Sequence, residues 1–195
     1  MVKAKGEADY QALISHYQLM QRTAKQAVYV DRLWEHLCHM ILPRATQGGF
    51  QLEGLSGQRK GKRIIKEPIS VECGDAATMA NVVKAGKYFQ PTASNFPVID
   101  AAVEEEGVFY GLQMTVASSH PSSASHTAAL LEKMPNLQLV WVVDSTQKTH
   151  IKAAQGFEYS ATEKSDATLQ AKLSNVPQWL LVLDFPKTNP FLINQ

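Results

Sequence analysis

Apolar positions recur along the chain with two periods, and the places where the period changes mark the elements. Over 8–42 the spacing is helical, with a break expected at 28–31 where Asp31 caps a second helix starting at Arg32, and Pro43 ends it. At about 100° per residue, Trp34, Leu37, Cys38, Met40, Ile41 and Leu42 form a wide apolar arc with Leu33, and Glu35 falls at its edge. The Glu35 carboxylate therefore runs along a core boundary. "GGFQLEGL" reads as a short strand, and "SGQRKGKRIIKEP" as a basic loop leading to a second strand, "ISVEC". "DAATMANVVKAGKYF" has a helical pattern closed by the turn-like "QPTASN".

Alternation takes over in "NFPVIDAAVEEEGVFYGLQMTVASSH". A strand ending at Asp100 is followed by a polar turn through Glu104, Glu105, Glu106 and Gly107, and then by a strand over 108–116. Period-two geometry puts Phe109, Gly111, Gln113 and Thr115 on one face and Val108, Tyr110, Leu112, Met114 and Val116 on the other. A hairpin through the turn makes Asp100 and Gln113 neighbours. Two readings follow: a pair of oxygen ligands for a hard cation, or a strand-end carboxylate hydrogen-bonded to backbone.

Further on, 125–134 is a helix candidate, "LQLVWVVD" a strongly apolar strand, 148–155 and 166–173 helical, and "PQWLLVLDF" the last strand. The continuous apolar runs 139–143 and 179–183 imply strands covered on both faces. The fold class expected is α/β, a mixed central sheet flanked by helices, in one domain over 1–195 with a helical part at about 8–42 and a sheet core at about 50–185.

With 195 residues, 45% of them hydrophobic, the chain can bury one sizeable core. Nineteen basic and eighteen acidic residues leave a formal charge of +1, so binding of a polyanion must rest on a local patch. Arg59, Lys60, Lys62, Arg63 and Lys66 supply one beside two glycines; such a run can track a phosphate backbone, act as a nuclear-import signal, or simply be solvated. Cys38 and Cys73 are too few for a disulfide framework, which points to a reducing site of action. No signal-peptide pattern opens the chain and no apolar run is long enough to span a bilayer, so a soluble chain without membrane partners is expected. His36, Cys38 and His39 suggest zinc by spacing, but Cys38 falls inside the apolar arc and no second pair has finger spacing, so core packing is the reading here. The serines of "SSHPSSASH" lack a nucleophile elbow.

In order, "RLWEHLCHMIL", "NFPVID", "FYGLQMTVASSHP", "LVWVVD" and "QWLLVLDF" resemble the C-terminal domain of Crinkler-type effectors and the related retrotransposon-hot-spot proteins. The resemblance runs from about Val30 onward. It implies the restriction-endonuclease-like, PD-(D/E)XK, fold, in which a helix glutamate, a strand-end aspartate and a Glu-x-Lys strand bind divalent metal and activate water. Carried onto this chain, Glu35 takes the place of the helix acid, Asp100 of the metal-binding aspartate, Gln113 of the second ligand and Thr115 of the lysine. Mg2+ or Mn2+ would be the cofactor and DNA the partner. Gln113 lacks the charge of the usual Glu and Thr115 lacks an ammonium, so His120, Lys66 or Lys133 would have to assist. The resemblance further implies a C-terminal part of a longer secreted protein that reaches a host nucleus and meets DNA or host nuclear proteins there. The same fold with a decayed site, binding DNA or a host protein, is the alternative.

Overall fold

A computed structural model describes residues 2–21, 27–44, 48–55, 61–67, 69–93, 96–119, 121–148, 151 and 153–184. The chain opens with α1 (Val2–Gln21) and α2 (Ala27–Ile41), followed by β1 (Phe50–Gly54), β2 (Lys62–Ile64) and β3 (Val71–Gly74). Next come α3 (Met79–Lys84), β4 (Tyr88–Pro91), β5 (Ala101–Glu105), β6 (Val108–Met114), β7 (Ser122–Ser123) and α4 (Ala124–Lys133). The last elements are β8 (Leu137–Asp144), β9 (Phe157–Glu158), α5 (Ala167–Ser174) and β10 (Gln178–Leu183).

Eight strands form one mixed sheet in the order β2-β1-β10-β8-β6-β5-β4-β3, and helices cover both faces, as the apolar runs imply. Its centre is parallel: β6 pairs with β8 and β8 with β10, and the intervening connections carry α4 and α5, the crossover geometry parallel strands require. All eight residues of β8 are buried, which explains its continuous apolar run over 139–143. β5 and β6 are antiparallel and joined by a two-residue turn in which Glu106 (φ 55°) and Gly107 (φ 79°) are both left-handed, the I′ geometry that suits strand twist.

Two apolar layers hold the elements. Tyr110, Leu112 and Met114 of β6 face a cluster with α1 and α2 that contains Tyr17, Trp34, Leu37, Cys38 and Ile41. Phe109 faces a second cluster built with α3, α4 and α5. Gly111 looks the same way as Phe109, since a Cβ there would stand 2.7 Å from Ile99 and 3.3 Å from Leu137, both members of that cluster. Trp34 fixes α2 on the sheet: its ring is fully buried and its Nε1–H donates to the Val142 carbonyl over 3.0 Å. Removing that ring would cost on the order of 3–5 kcal/mol.

Several boundaries differ from the sequence reading, each for a physical reason. The break expected at 28–31 is not there: α2 runs through these positions, so Asp31 lies within it and is not its cap. Its carboxylate instead accepts from the Val116 backbone N–H at 3.2 Å. Within "NFPVID" the described residues 96–100 are not a strand: Val98 takes a left-handed φ of 77°, which breaks extension, and β5 begins after Asp100. The pattern read as one helix through "KYF" contains only six helical residues before the left-handed Gly86 (φ 71°), and β4 follows. Within 148–155, the described residues 151 and 153–155 are not helical. No described helix is long and apolar enough to cross a membrane.

Candidate functional site

Three segments meet around Asp100. β6 ends at Met114, β5 begins at Ala101, and α2 brings Asp31 and Glu35 one turn apart on the same stripe. The hairpin register pairs Ala101 with Leu112, and the Asp100 N–H donates to the Leu112 carbonyl over 2.8 Å. Asp100 Oδ2 accepts twice, from Gln113 Nε2 at 2.9 Å and from the Met114 backbone N–H at 2.7 Å.

Burial pushes the Asp100 carboxyl up to about 7; the Met114 N–H opposes this, and the nearby charges of Glu35 and Asp31 add to the rise. Glu35 is half-exposed, and its Oε1 stands 3.6 Å from His39 Nε2. Glu35 and Asp100, 65 positions apart in sequence, therefore act on each other electrostatically. The buried Cys38 thiol lies among the same acids: burial raises its pKa well above the ordinary value, and Asp100, Glu35, Asp144 and Asp31 raise it further. This thiol belongs to the packed layer, not to a metal shell.

The two faces of β6 separate the remaining sequence-derived residues. Gln113 and Thr115 follow Gly111 on the face away from α2, whereas Glu35 rides on α2, and Asp100 at the strand end adjoins both. Thr115 is fully buried; its N–H donates to the Val142 carbonyl at 3.1 Å and its Oγ1 accepts from the Ala117 N–H at 3.0 Å. That hydroxyl serves a local turn. Lys66 pairs with Glu105 at 3.2 Å and Glu106 at 2.6 Å, which fastens it to the hairpin turn at the far end of β5 and β6 from Asp100. Lys133 donates to the Ala76 carbonyl at 3.0 Å. Neither contact brings an ammonium to Asp100. His120, Arg59 and Lys60 lie outside the described residues, and Lys62 and Arg63 are placed by backbone alone, opposite Leu52 and Gln51 on β2.

Two acids of this region do not stand out as site residues in the sequence. Asp31 reads there as a helix cap, and Asp144 as the end of an apolar strand. Asp144 is buried, accepts from the Thr146 N–H at 2.7 Å and bonds to Tyr17 of α1. A signal is nonetheless present: "VVD" repeats the apolar-run-then-Asp form of "VID".

Among the described residues, no three His, Cys, Asp or Glu side chains gather closely enough to hold a metal ion. Two carboxylates would need a neutral oxygen beside them to hold a hard ion; Gln113, whose side chain carries such an oxygen, turns its Nε2 to Asp100 from the face away from α2. Compared with known proteins, the chain matches no family model, no curated protein and no solved structure.

Proposed function

We propose that this chain is a restriction-endonuclease-like domain that binds a divalent cation, Mg2+ or Mn2+, with Asp100, Glu35 and Gln113, and acts on DNA. The observation that carries the reading is the state of Asp100: a carboxylate raised to about 7 by burial, with Glu35 and Asp31 as its charged neighbours. Among the described residues no Lys, Arg or His pairs with it. A divalent cation relieves that repulsion and converts the destabilised carboxylates into ligands. When bound, such an ion supplies charge for a phosphodiester transition state and acidifies a water. The chain's own part is to hold Asp100 rigid through the Gln113 and Met114 donors and to present Glu35 from α2.

Binding without catalysis is favoured by a different observation. Thr115 stands where the resemblance puts a lysine, and it is fully buried with its hydroxyl accepting from Ala117. In that reading the fold recognises DNA or a host nuclear protein. The setting proposed for either activity, secretion within a longer protein and action in a host nucleus, rests on the resemblance.

The test is relaxation of supercoiled plasmid by wild type and Asp100→Ala with Mg2+, Mn2+ or chelator. The nuclease reading expects metal-dependent nicking by wild type that falls by about 100-fold or more in the variant, as loss of a metal ligand should cause. Absence of nicking together with retained DNA binding selects the binding module. Nicking that Asp100→Ala leaves unchanged contradicts the site.

A further inference from the structure

Beyond the carboxylates themselves, α2 and β4 are joined through one imidazole. His39 lies one helical turn past Glu35, its Nε2 3.6 Å from Glu35 Oε1 and its Nδ1 3.0 Å from Tyr88 Oη. The two rings meet edge to face, with centroids 5.9 Å apart and an interplanar angle of 88°. The His39 side chain is only 8% exposed against 41% for Glu35, so the ring is the fixed member of the pair and the carboxylate the mobile one.

Tyr88 stands against one ring nitrogen of His39, Nδ1. Its side chain is fully buried in β4, and burial holds its pKa well above the ordinary value, with Cys38, Asp100 and Glu35 adding to the rise. The phenol keeps its proton, and in the Nε2–H tautomer of His39 the bare Nδ1, 3.0 Å away, accepts it. A neutral imidazole that accepts at Nδ1 has its hydrogen on Nε2, the nitrogen nearest Glu35. No part of α2's amphipathic pattern accounts for a Tyr–His–Glu series running from β4, the strand beside the edge strand β3, to the edge of a helix.

We propose that Tyr88 and His39 are positioning residues: the Tyr88 hydroxyl fixes the Nε2–H tautomer of His39, and that N–H steers one oxygen of Glu35 and leaves the other free for a divalent cation shared with Asp100. The proposal rests on the metal-site reading above. It corresponds to the way outer-shell donors orient ligating groups in metal sites, where their loss weakens metal affinity by about 10–100-fold.

The experiment is calorimetric titration of Mn2+ into wild type, Tyr88→Phe, His39→Gln and His39→Leu, with melting curves and the ring-nitrogen NMR shifts of His39 in the metal-free protein. Tyr88→Phe and His39→Leu are expected to weaken Mn2+ by about 10-fold. His39→Gln, whose amide N–H can replace Nε2–H, is expected to retain most of the affinity. The NMR shifts are expected to show a bare Nδ1 and a protonated Nε2. If wild type binds Mn2+ but the Leu variant binds as tightly as the Gln variant, or Tyr88→Phe binds as wild type does, the positioning role is overturned while the metal site stands. The opposite tautomer in folded wild type overturns it as well, with or without metal. If wild type binds no Mn2+, the metal reading fails and this role fails with it.

Discussion

Gln113 Nε2 donates to Asp100 Oδ2 across 2.9 Å, and the same oxygen accepts the Met114 N–H at 2.7 Å. One amide thus binds one carboxylate, and the chemistry of the pair depends on that amide being neutral. Gln113→Glu converts the donor into a second anion beside Asp100 and Glu35. Without metal the variant should melt several degrees lower, since two carboxylates cannot both ionise at that distance without mutual penalty. With millimolar Mg2+ it should recover and exceed the stabilisation seen in wild type, because a charge has joined the hard-ion shell. Melting curves of both proteins, with and without Mg2+, check this; a variant that metal does not rescue speaks for the binding module.

The raised pKa of Asp100 has a definite effect on stability. Its folded value, about 7, lies above the ordinary value of 3.8, so the folded state holds a proton that the unfolded chain has released. Stability from this group is complete below about pH 4 and is lost as pH rises towards and through 7. Metal-free wild type should therefore lose up to a few kcal/mol, on the order of one to three, between pH 5 and pH 8, an upper figure because solvent screening reduces it. Asp100→Asn should remove most of that slope. Denaturant titrations at a series of pH values measure it, and an unchanged slope in the variant would assign the dependence to other groups.

Gly111 is a packing requirement beneath the site. A Cβ at this position would stand 2.7 Å from Ile99 Cγ2, in the residue just before Asp100, and 3.3 Å from Leu137. Gly111→Ala should cost about 1–3 kcal/mol through overpacking. It should also shift the backbone resonances of Ile99 and Asp100 more than those of β10, two strands away. A neutral effect on stability would mean that Ile99 has room to move.

The basic run gives a prediction about salt. If DNA is the ligand, neutralising Arg59, Lys60, Lys62, Arg63 and Lys66 together should reduce the slope of log affinity against log salt by about 0.9 for each phosphate that the variant no longer neutralises. Lys66→Met alone should change it little, since that ammonium already faces Glu105 and Glu106. Fluorescence anisotropy on a labelled duplex at several salt concentrations separates these cases, and a slope unaffected by all five changes would leave the run to import or solvation.

What the sequence makes legible here is what local pattern determines. The alternation over 108–116 assigns the faces of β6, and the Glu-rich turn before Val108 sets the register that puts Gln113 beside Asp100. The covered sheet follows from continuous runs such as that of β8, which has no exposed residue. What depends on tertiary packing is not written in such patterns. Val98 is β-branched and sits in a run that looks extended, yet its φ is 77°. Asp31 has the composition of a cap, and only the fold discloses that its acceptor serves Val116, 85 residues away. The link from Tyr88 to His39 spans 49 positions and two elements, with no spacing rule to suggest it. The side of the sheet on which Glu35 stands relative to Gln113 likewise depends on where α2 docks, a choice fixed by Trp34 and the apolar layer around it.

The central claim is that Asp100 and Glu35 share a divalent cation, and the most direct measurement is calorimetric titration of Mn2+ into wild type and into Asp100→Asn at pH 7.5. The Asn variant keeps the size of the side chain and an acceptor for the Met114 N–H, so the fold should survive. The account predicts one Mn2+ per wild-type chain, displaced by Mg2+, with proton release as Asp100 ionises, and affinity reduced by about 10-fold or more in the variant. No saturable binding by folded wild type, or binding of equal strength by Asp100→Asn, would contradict it.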